Sequence, residues 1–257
     1  MIIEICVDCL ESVAACAEAG ADRIELCAGL VEGGTTPSVG FMKAARRLFP
    51  GRIMTMIRPR AGDFLYSRDE AEIMLDDIRQ ARDQGADGVV FGCLTADGDI
   101  DTALAAELAS AASGMDITFH RAFDVSRDLA QSLETLVRLG IPRVLTSGGR
   151  PAATTGIVRL AEMVRQAGDR IAILPGGGVR AENIARVVSG TGVQEIHLSA
   201  RETIPSPMRH RRIDIPMGAD AIPGEYQRRV ASAALIRTAK NAAQAGADAR
   251  NGAGHSA

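Results

Sequence analysis

The stretch EAGADRIEL, residues 18–26, decides the fold. A small-residue helical run stops at Gly20, and within three residues the chain alternates polar and apolar side chains through Arg23, Ile24, Glu25 and Leu26. Glycine just past a helix end takes the left-handed conformation that terminates it. Strict alternation is the mark of a strand. The same pattern returns in DQGADGVVF (83–91) at Gly85, RLGIPRVLT (138–146) at Gly140 and SGTGVQEIHL (189–198) at Gly192. Successive glycines lie roughly 50 to 65 residues apart, about the length of two βα units.

Strands fall between and around these points. They are expected at Ile2 to Cys6, Arg23 to Cys27, Ile53 to Arg58, Gly88 to Gly92, Ile117 to His120, Arg143 to Thr146, Ile171 to Leu174 and Glu195 to Ser199. Helical patterns fill the gaps, around Ser12 to Ala19, Val39 to Leu48, Asp69 to Gln84, Asp101 to Ala112, Asp128 to Leu139, Thr154 to Ala167 and Ala181 to Ser189, with a last helix from about Glu225 to Ala245. Eight strands alternating with eight helices predict an α/β fold, a single (β/α)8 TIM barrel over 1–246, with 247–257 a disordered tail. A doubly wound open sheet is the alternative, but no GxGxxG follows the first strand. The proline- and arginine-rich segment 201–223 is too long for an idle connection and suggests a lid, a subunit contact or an anion contact.

Alternation also sorts the strand residues by face. Ile3, Ile5, Ile24, Leu26, Ile117, Phe119, Ile196 and Leu198 share one parity and should meet the helices. Glu4, Cys6, Glu25, Cys27, Arg58, Thr118, His120, His197 and Ser199 share the other, which points into a barrel. Carboxylates, imidazoles and a guanidinium are not the usual branched aliphatic filling. A polar pocket at the C-terminal ends of the strands is therefore expected.

Composition narrows the partners. The 257 residues are 46% hydrophobic and 24% charged, with net charge −3, two Tyr and no Trp. Neither nucleic acid nor a membrane is indicated. Five cysteines, no basic leader ahead of the MIIEICV strand and no long apolar run suggest a cytosolic protein with reduced thiols.

Three constellations carry chemistry. Arg58 and Arg60 after the third strand, Gly176 to Gly178 after the seventh, and Ser199 with Arg201 after the eighth suit an anionic ligand, or else a tight turn and surface arginines. Glu4, Glu25, His120 and His197, with Asp63 and Asp124 on loops, suit proton abstraction beside a carbonyl, or else a buried network in which Glu25 and Arg58 neutralise each other. Cys6 and Cys27 end adjacent strands with one parity and suit a soft metal, Cu(I) or Zn, or else plain burial. Cys16 reads as helix packing, and Cys93 as a possible third thiol. Asp97, Asp99 and Asp101 lack the Gly and Glu of a calcium loop, so Asp101 reads as a helix cap.

Taken in order, RIELCAGLVEGGTTPS (23–38), MIRPRAGDFLYS (56–67), ITFHRAFD (117–124), RVLTSGG (143–149) and PGGGVRAENI (175–184) resemble the CutC copper homeostasis family. The likeness runs from Glu4 to about Arg211 and more weakly through GEYQRRV (224–230). The resemblance implies a cytosolic TIM-type barrel, often a homo-oligomer, with a role in copper tolerance and proposed Cu(I) binding. It puts the thiol ligands on Cys6 and Cys27, and pocket residues on Glu4, Glu25, Arg58, Arg60, His120, Arg121 and Asp124. Arg212 departs from the family, which usually has Asn there.

Copper gives no reason for Arg58, Arg60, His120 or the glycine triplet. The rival expectation is an isomerase, aldolase or lyase acting on a small phosphorylated or carboxylated carbonyl or sugar compound. In it Glu25 or His120 is the base, Arg58 and Arg60 hold the anion, and Gly177 and Gly178 cradle phosphate. A barrel serving only as a scaffold for protein contacts is the third.

Overall fold

A computed structural model describes residues 1–215 and 224–253. Eight parallel strands, β1 (Ile2–Val7), β2 (Arg23–Leu26), β3 (Arg52–Met56), β4 (Gly88–Phe91), β5 (Asp116–Phe119), β6 (Arg143–Thr146), β7 (Ala172–Pro175) and β8 (Glu195–Leu198), are hydrogen-bonded in the order β7-β6-β5-β4-β3-β2-β1-β8. β7 and β8 lie side by side without a ladder, so the barrel is closed there by packing. Around it stand α1 (Leu10–Ala19), α2 (Val39–Leu48), α3 (Arg68–Asp83), α4 (Thr102–Ala111), α5 (Leu129–Arg138), α6 (Ile157–Ala167), α7 (Ile184–Thr191) and α8 (Ala233–Ala253). This is the (β/α)8 barrel that the sequence predicts. No helix among the described residues is long and apolar enough to cross a membrane.

Local chemistry accounts for the helix ends. Gly20 closes α1 at φ 63°, and its amide and that of Ala21 return to the last turn. Ser67 and Glu70 form a capping box on α3, and Asp101 caps α4 through the Leu104 amide. The aspartate therefore serves as the cap that the sequence suggested.

Several boundaries differ from expectation. The last helix does not begin at Glu225: Gln227–Ala231 is a strand, β10, paired antiparallel with β9 (Arg201–Pro205). Gln227, Arg228 and Arg229 are exposed, while Val230 and Ala231 are buried. α8 continues to Ala253, into the stretch expected to be disordered; 254–257 lie outside the described residues. α6 starts at Ile157 because the chain first makes a 3-10 turn, Ala153–Thr155. Of the segment 201–223, residues 201–205 join the β9–β10 hairpin, while 216–223 lie outside the described residues.

The two parities hold. Ile3, Ile5, Ile24, Leu26, Ile117, Phe119, Ile196 and Leu198 sit in the main apolar core with the helices. The interior divides in two. On the β2–β4 side, Cys27, Met54, Met56 and Val90 form a small apolar cluster. Opposite it the filling is ionic. Register sets Glu4 beside Arg23 on one side and His197 on the other. Arg23 bonds Glu4 and reaches Glu195 at 2.6 Å, and Arg143 reaches the same Glu195 at 2.7 Å and Asp116 at 2.9 Å.

Such charges survive burial only when paired, and removing one partner strands the other. Replacing Arg23, 1% exposed, by Met leaves Glu4 and Glu195 without their shared cation. Arg23→Met should cost about 3–5 kcal/mol of stability, read from the denaturant midpoint.

Candidate functional site

A cavity of about 1290 Å³ opens at the C-terminal ends of the strands. At its β1–β2–β8 side, Cys6 stands opposite Glu25 in the ladder, and Glu4 opposite His197. His197 Nδ1 lies 2.7 Å from Glu4 Oε1, which turns Nε2 toward Glu25 Oε2 at 3.9 Å. Donor atoms of Cys6, Glu25 and His197 all lie within 4.8 Å of one another. No other metal-capable group of three is found among the described residues.

The protonation of this cluster follows from burial and charge. Burial works against ionised Glu4, but the Arg23 guanidinium and the His197 ring overcome it and hold the carboxyl at about 2. Burial also works against a charged His197, yet Glu25, Cys6 and Glu4 lift its pKa well above the ordinary value. Glu25 is pushed up, chiefly by burial, with the Glu4 charge adding to it. The result is an imidazolium held by one firmly ionised carboxylate and one that protonates easily. The Cys27 thiol, driven far up by burial and by Glu25, donates to Glu25 Oε2 at 3.4 Å.

The middle of the cavity belongs to the exits of β3 and β5. Arg58 is 5% exposed and spends its two terminal nitrogens on carbonyls, of Glu32 at 3.0 Å, Gly34 at 2.9 Å and Gly62 at 2.9 Å. Phe64 packs over both Arg58, 5.1 Å from its ring centroid, and His120, at 5.0 Å between rings. His120 Nδ1 accepts from the Ala122 amide at 3.1 Å, so the ring proton is on Nε2, which is buried without a partner. Burial, and then Arg58, push the His120 pKa down to about 3. It stays a neutral donor.

On the β5–β8 side, Asp124 is buried and fully used. It accepts from Arg121 Nε at 2.7 Å, the Thr146 hydroxyl, the Ser147 amide at 3.0 Å and the Gly149 amide at 2.9 Å. Arg121 is fixed by this carboxylate and by Ser147 Oγ at 2.9 Å. Gly177 and Gly178 follow β7 at φ 87° and 69°. Beyond β8, Ser199 lines the cavity and Ala200, at φ 43°, bends the chain into β9.

The structure thus brings together Glu4, Cys6, Glu25, Arg58, His120, Arg121, Asp124, Gly177, Gly178 and Ser199 around one mouth, Glu4 just beneath it. Other expectations need correction. Arg60 turns outward to Glu70 at 2.5 Å and Asp63 at 3.0 Å, stacked on Tyr66, and does not line the cavity. Asp63 goes with it, drawn by the same guanidinium. Asp124 lines the cavity as expected, with its carboxylate accepting from Arg121, Thr146, Ser147 and Gly149. Cys27 is 0% exposed, packed against Met54 and Met56, and outside the Cys6–Glu25–His197 group. Glu25 is neutralised by His197 and not by Arg58. Cys93 is buried, its thiol on the Asp101 carbonyl at 3.6 Å, and Cys16 is held by burial at about 12. Phe64 and Ser147 were missed; only the TSGG turn after β6 could have signalled Ser147.

Comparison with known proteins gives one consistent result. The CutC family model matches residues 1–202. A Bacteroides thetaiotaomicron protein of the CutC family is 50% identical over 234 residues, covering 91% of this chain and 94% of that one. The human copper homeostasis protein cutC homolog is 46% identical over 237 residues, 92% of this chain and 87% of its own. The crystal structure of a CutC copper homeostasis protein from Streptococcus agalactiae superposes with a TM-score of 0.74 at 37% identity, over 77% of this chain and 97% of that one.

The buried, neutral His120 makes folding sensitive to acid. Its folded pKa lies below the unfolded one, so its contribution is complete above 6.5 and is lost as the pH falls toward 3. Unfolding curves across that range should show a loss of stability on the acid side that is smaller in His120→Gln. Imidazole nitrogen NMR should find the Nε2–H form still present at about pH 5, where an ordinary histidine is protonated.

Proposed function

The chain belongs to the CutC family, and from that premise we propose that it handles copper, binding Cu(I) at the barrel mouth through Cys6 and His197 with Glu25 as the third donor. The observation that carries this reading is the convergence of those three donors within 4.8 Å. Thiolate and imidazole together suit Cu(I) better than they suit hard cations.

The surroundings fit the donor set. A metal-binding histidine is normally oriented by a carboxylate on its other nitrogen. Glu4, on Nδ1 at 2.7 Å, does this for His197 and leaves Nε2 for the ion. Cys27 stands behind Glu25 and supports it; the thiol pair suggested by the sequence becomes a thiol and an imidazole. Human and streptococcal relatives carry names that refer to copper homeostasis, which supports the reading. All five cysteines are unpaired, in keeping with a cytosolic setting.

Binding must expel the proton that the carboxylates keep on His197, so affinity should weaken as the pH falls. Anaerobic titration of reduced protein against a competing Cu(I) chelator should show stoichiometric binding. Glu4→Gln should weaken it about 10–100-fold, the usual effect of losing the orienting carboxylate. Cys6→Ser should weaken it at least as much, and Cys27→Ser only slightly. Unchanged affinity in Cys6→Ser would remove this site from consideration.

A further inference from the structure

One ion needs little of a cavity of about 1290 Å³, and the copper reading leaves its β5–β8 side unused. We propose that this side binds a small phosphorylated sugar or similar hydroxy-carbonyl phosphate. The phosphate sits on Arg121 and the Gly177–Gly178 turn, and a carbonyl or hydroxyl oxygen of the body takes the His120 Nε2 proton.

Arg121 is held in place before any ligand arrives. Asp124 takes its Nε and Ser147 one terminal nitrogen, at 2.7 and 2.9 Å. The other terminal nitrogen faces Gly177: a Cβ there would lie 3.0 Å from it. Both glycines have positive φ, and a Cβ on Gly178 would press on Ala152 at 3.0 Å. Successive bare backbone amides beside an oriented guanidinium form a concavity for an anion.

Charge points the same way. The chain carries net −3, yet Arg180, Arg201 and Arg229, beside Glu32 and Glu182, line the same cavity with no ion-pair partner among the described residues. A phosphate monoester uses that excess better than a carboxylate does, because it offers more charge and more acceptor oxygens.

His120 supplies the independent observation. It is 4% exposed, lines the cavity and carries a donor with no acceptor in the protein. Buried donors are rarely left so. The Phe64 ring lies beside the imidazole, with 5.0 Å between ring centroids. Apolar Met56 and Leu145 complete the wall, which suits the carbon face of a sugar.

The test uses full-length protein with a Cu(I) chelator present, so that copper binding and this site succeed or fail separately. Inorganic phosphate, triose to hexose phosphates and their unphosphorylated parents are titrated by calorimetry and phosphorus NMR. At least one sugar phosphate should bind at least about tenfold tighter than both its parent sugar and inorganic phosphate, a gain of about 1.4 kcal/mol. Arg121→Gln should weaken phosphate and sugar phosphate alike by about tenfold or more. His120→Gln should weaken the sugar phosphate alone. Should Arg121→Gln fail to fold, Arg201→Gln at the rim carries the same expectation. Sugar phosphates binding no better than phosphate or than their parents would overturn the proposal, as would unchanged affinity in the folded arginine variant.

Discussion

A carboxylate with no exposure, Glu4, sits in the middle of this barrel and cannot stay ionised there alone. Burying a charge is tolerable only with an opposite charge in good geometry. Arg23 meets it from β2 and His197 from β8, and both positions are fixed by the parallel register. The rest of the interior follows. Arg23 also reaches Glu195, which brings in Arg143 and, through it, Asp116 on β5. Strands on opposite walls are tied by charge where most barrels use layered aliphatic side chains.

The same constraint shapes the mouth. Because Glu4 claims Nδ1 of His197, the ring can turn only Nε2 toward Glu25 and Cys6. Soft and protonatable groups therefore gather on the β1–β2–β8 side. Across the cavity Asp124 acts in a parallel way, since its carboxylate gathers the loops after β5 and β6 and aims Arg121 at the glycines after β7. Two buried carboxylates thus set out two chemically different halves, with neutral His120 between them.

Much of this was legible in the sequence because glycine and alternation report on backbone, which is local. Gly20 and Gly192 announced helix ends, and parity separated Ile24 from Glu25 before any neighbour was known. Side-chain partners are not local. Arg60 stands two residues from Arg58 in a loop, where period carries no information, and the capping residue Glu70 captured it. Asp124 looked like a free acid because nothing in ITFHRAFD reveals the amides of Ser147 and Gly149. Cys6 and Cys27 share a parity, but Met54 and Met56 on β3 draw the second into an apolar layer. The β10 strand was hidden because QRRVA is too short to separate strand from helix without its partner, β9.

The last elements of the chain are fastened to the first. The Ala231 amide bonds Ser12 Oγ at 2.9 Å, Arg228 pairs with Glu11 at 3.0 Å, and Lys240 reaches the Gly20 carbonyl. β1 itself has one of its two neighbours in β8. A chain emerging from the ribosome must therefore keep its first strand waiting, one edge unpaired, until nearly all the rest has been made. Glu4 on β1 faces inward, and an inward-pointing charge makes an unpaired edge strand a poor template for pairing with another chain.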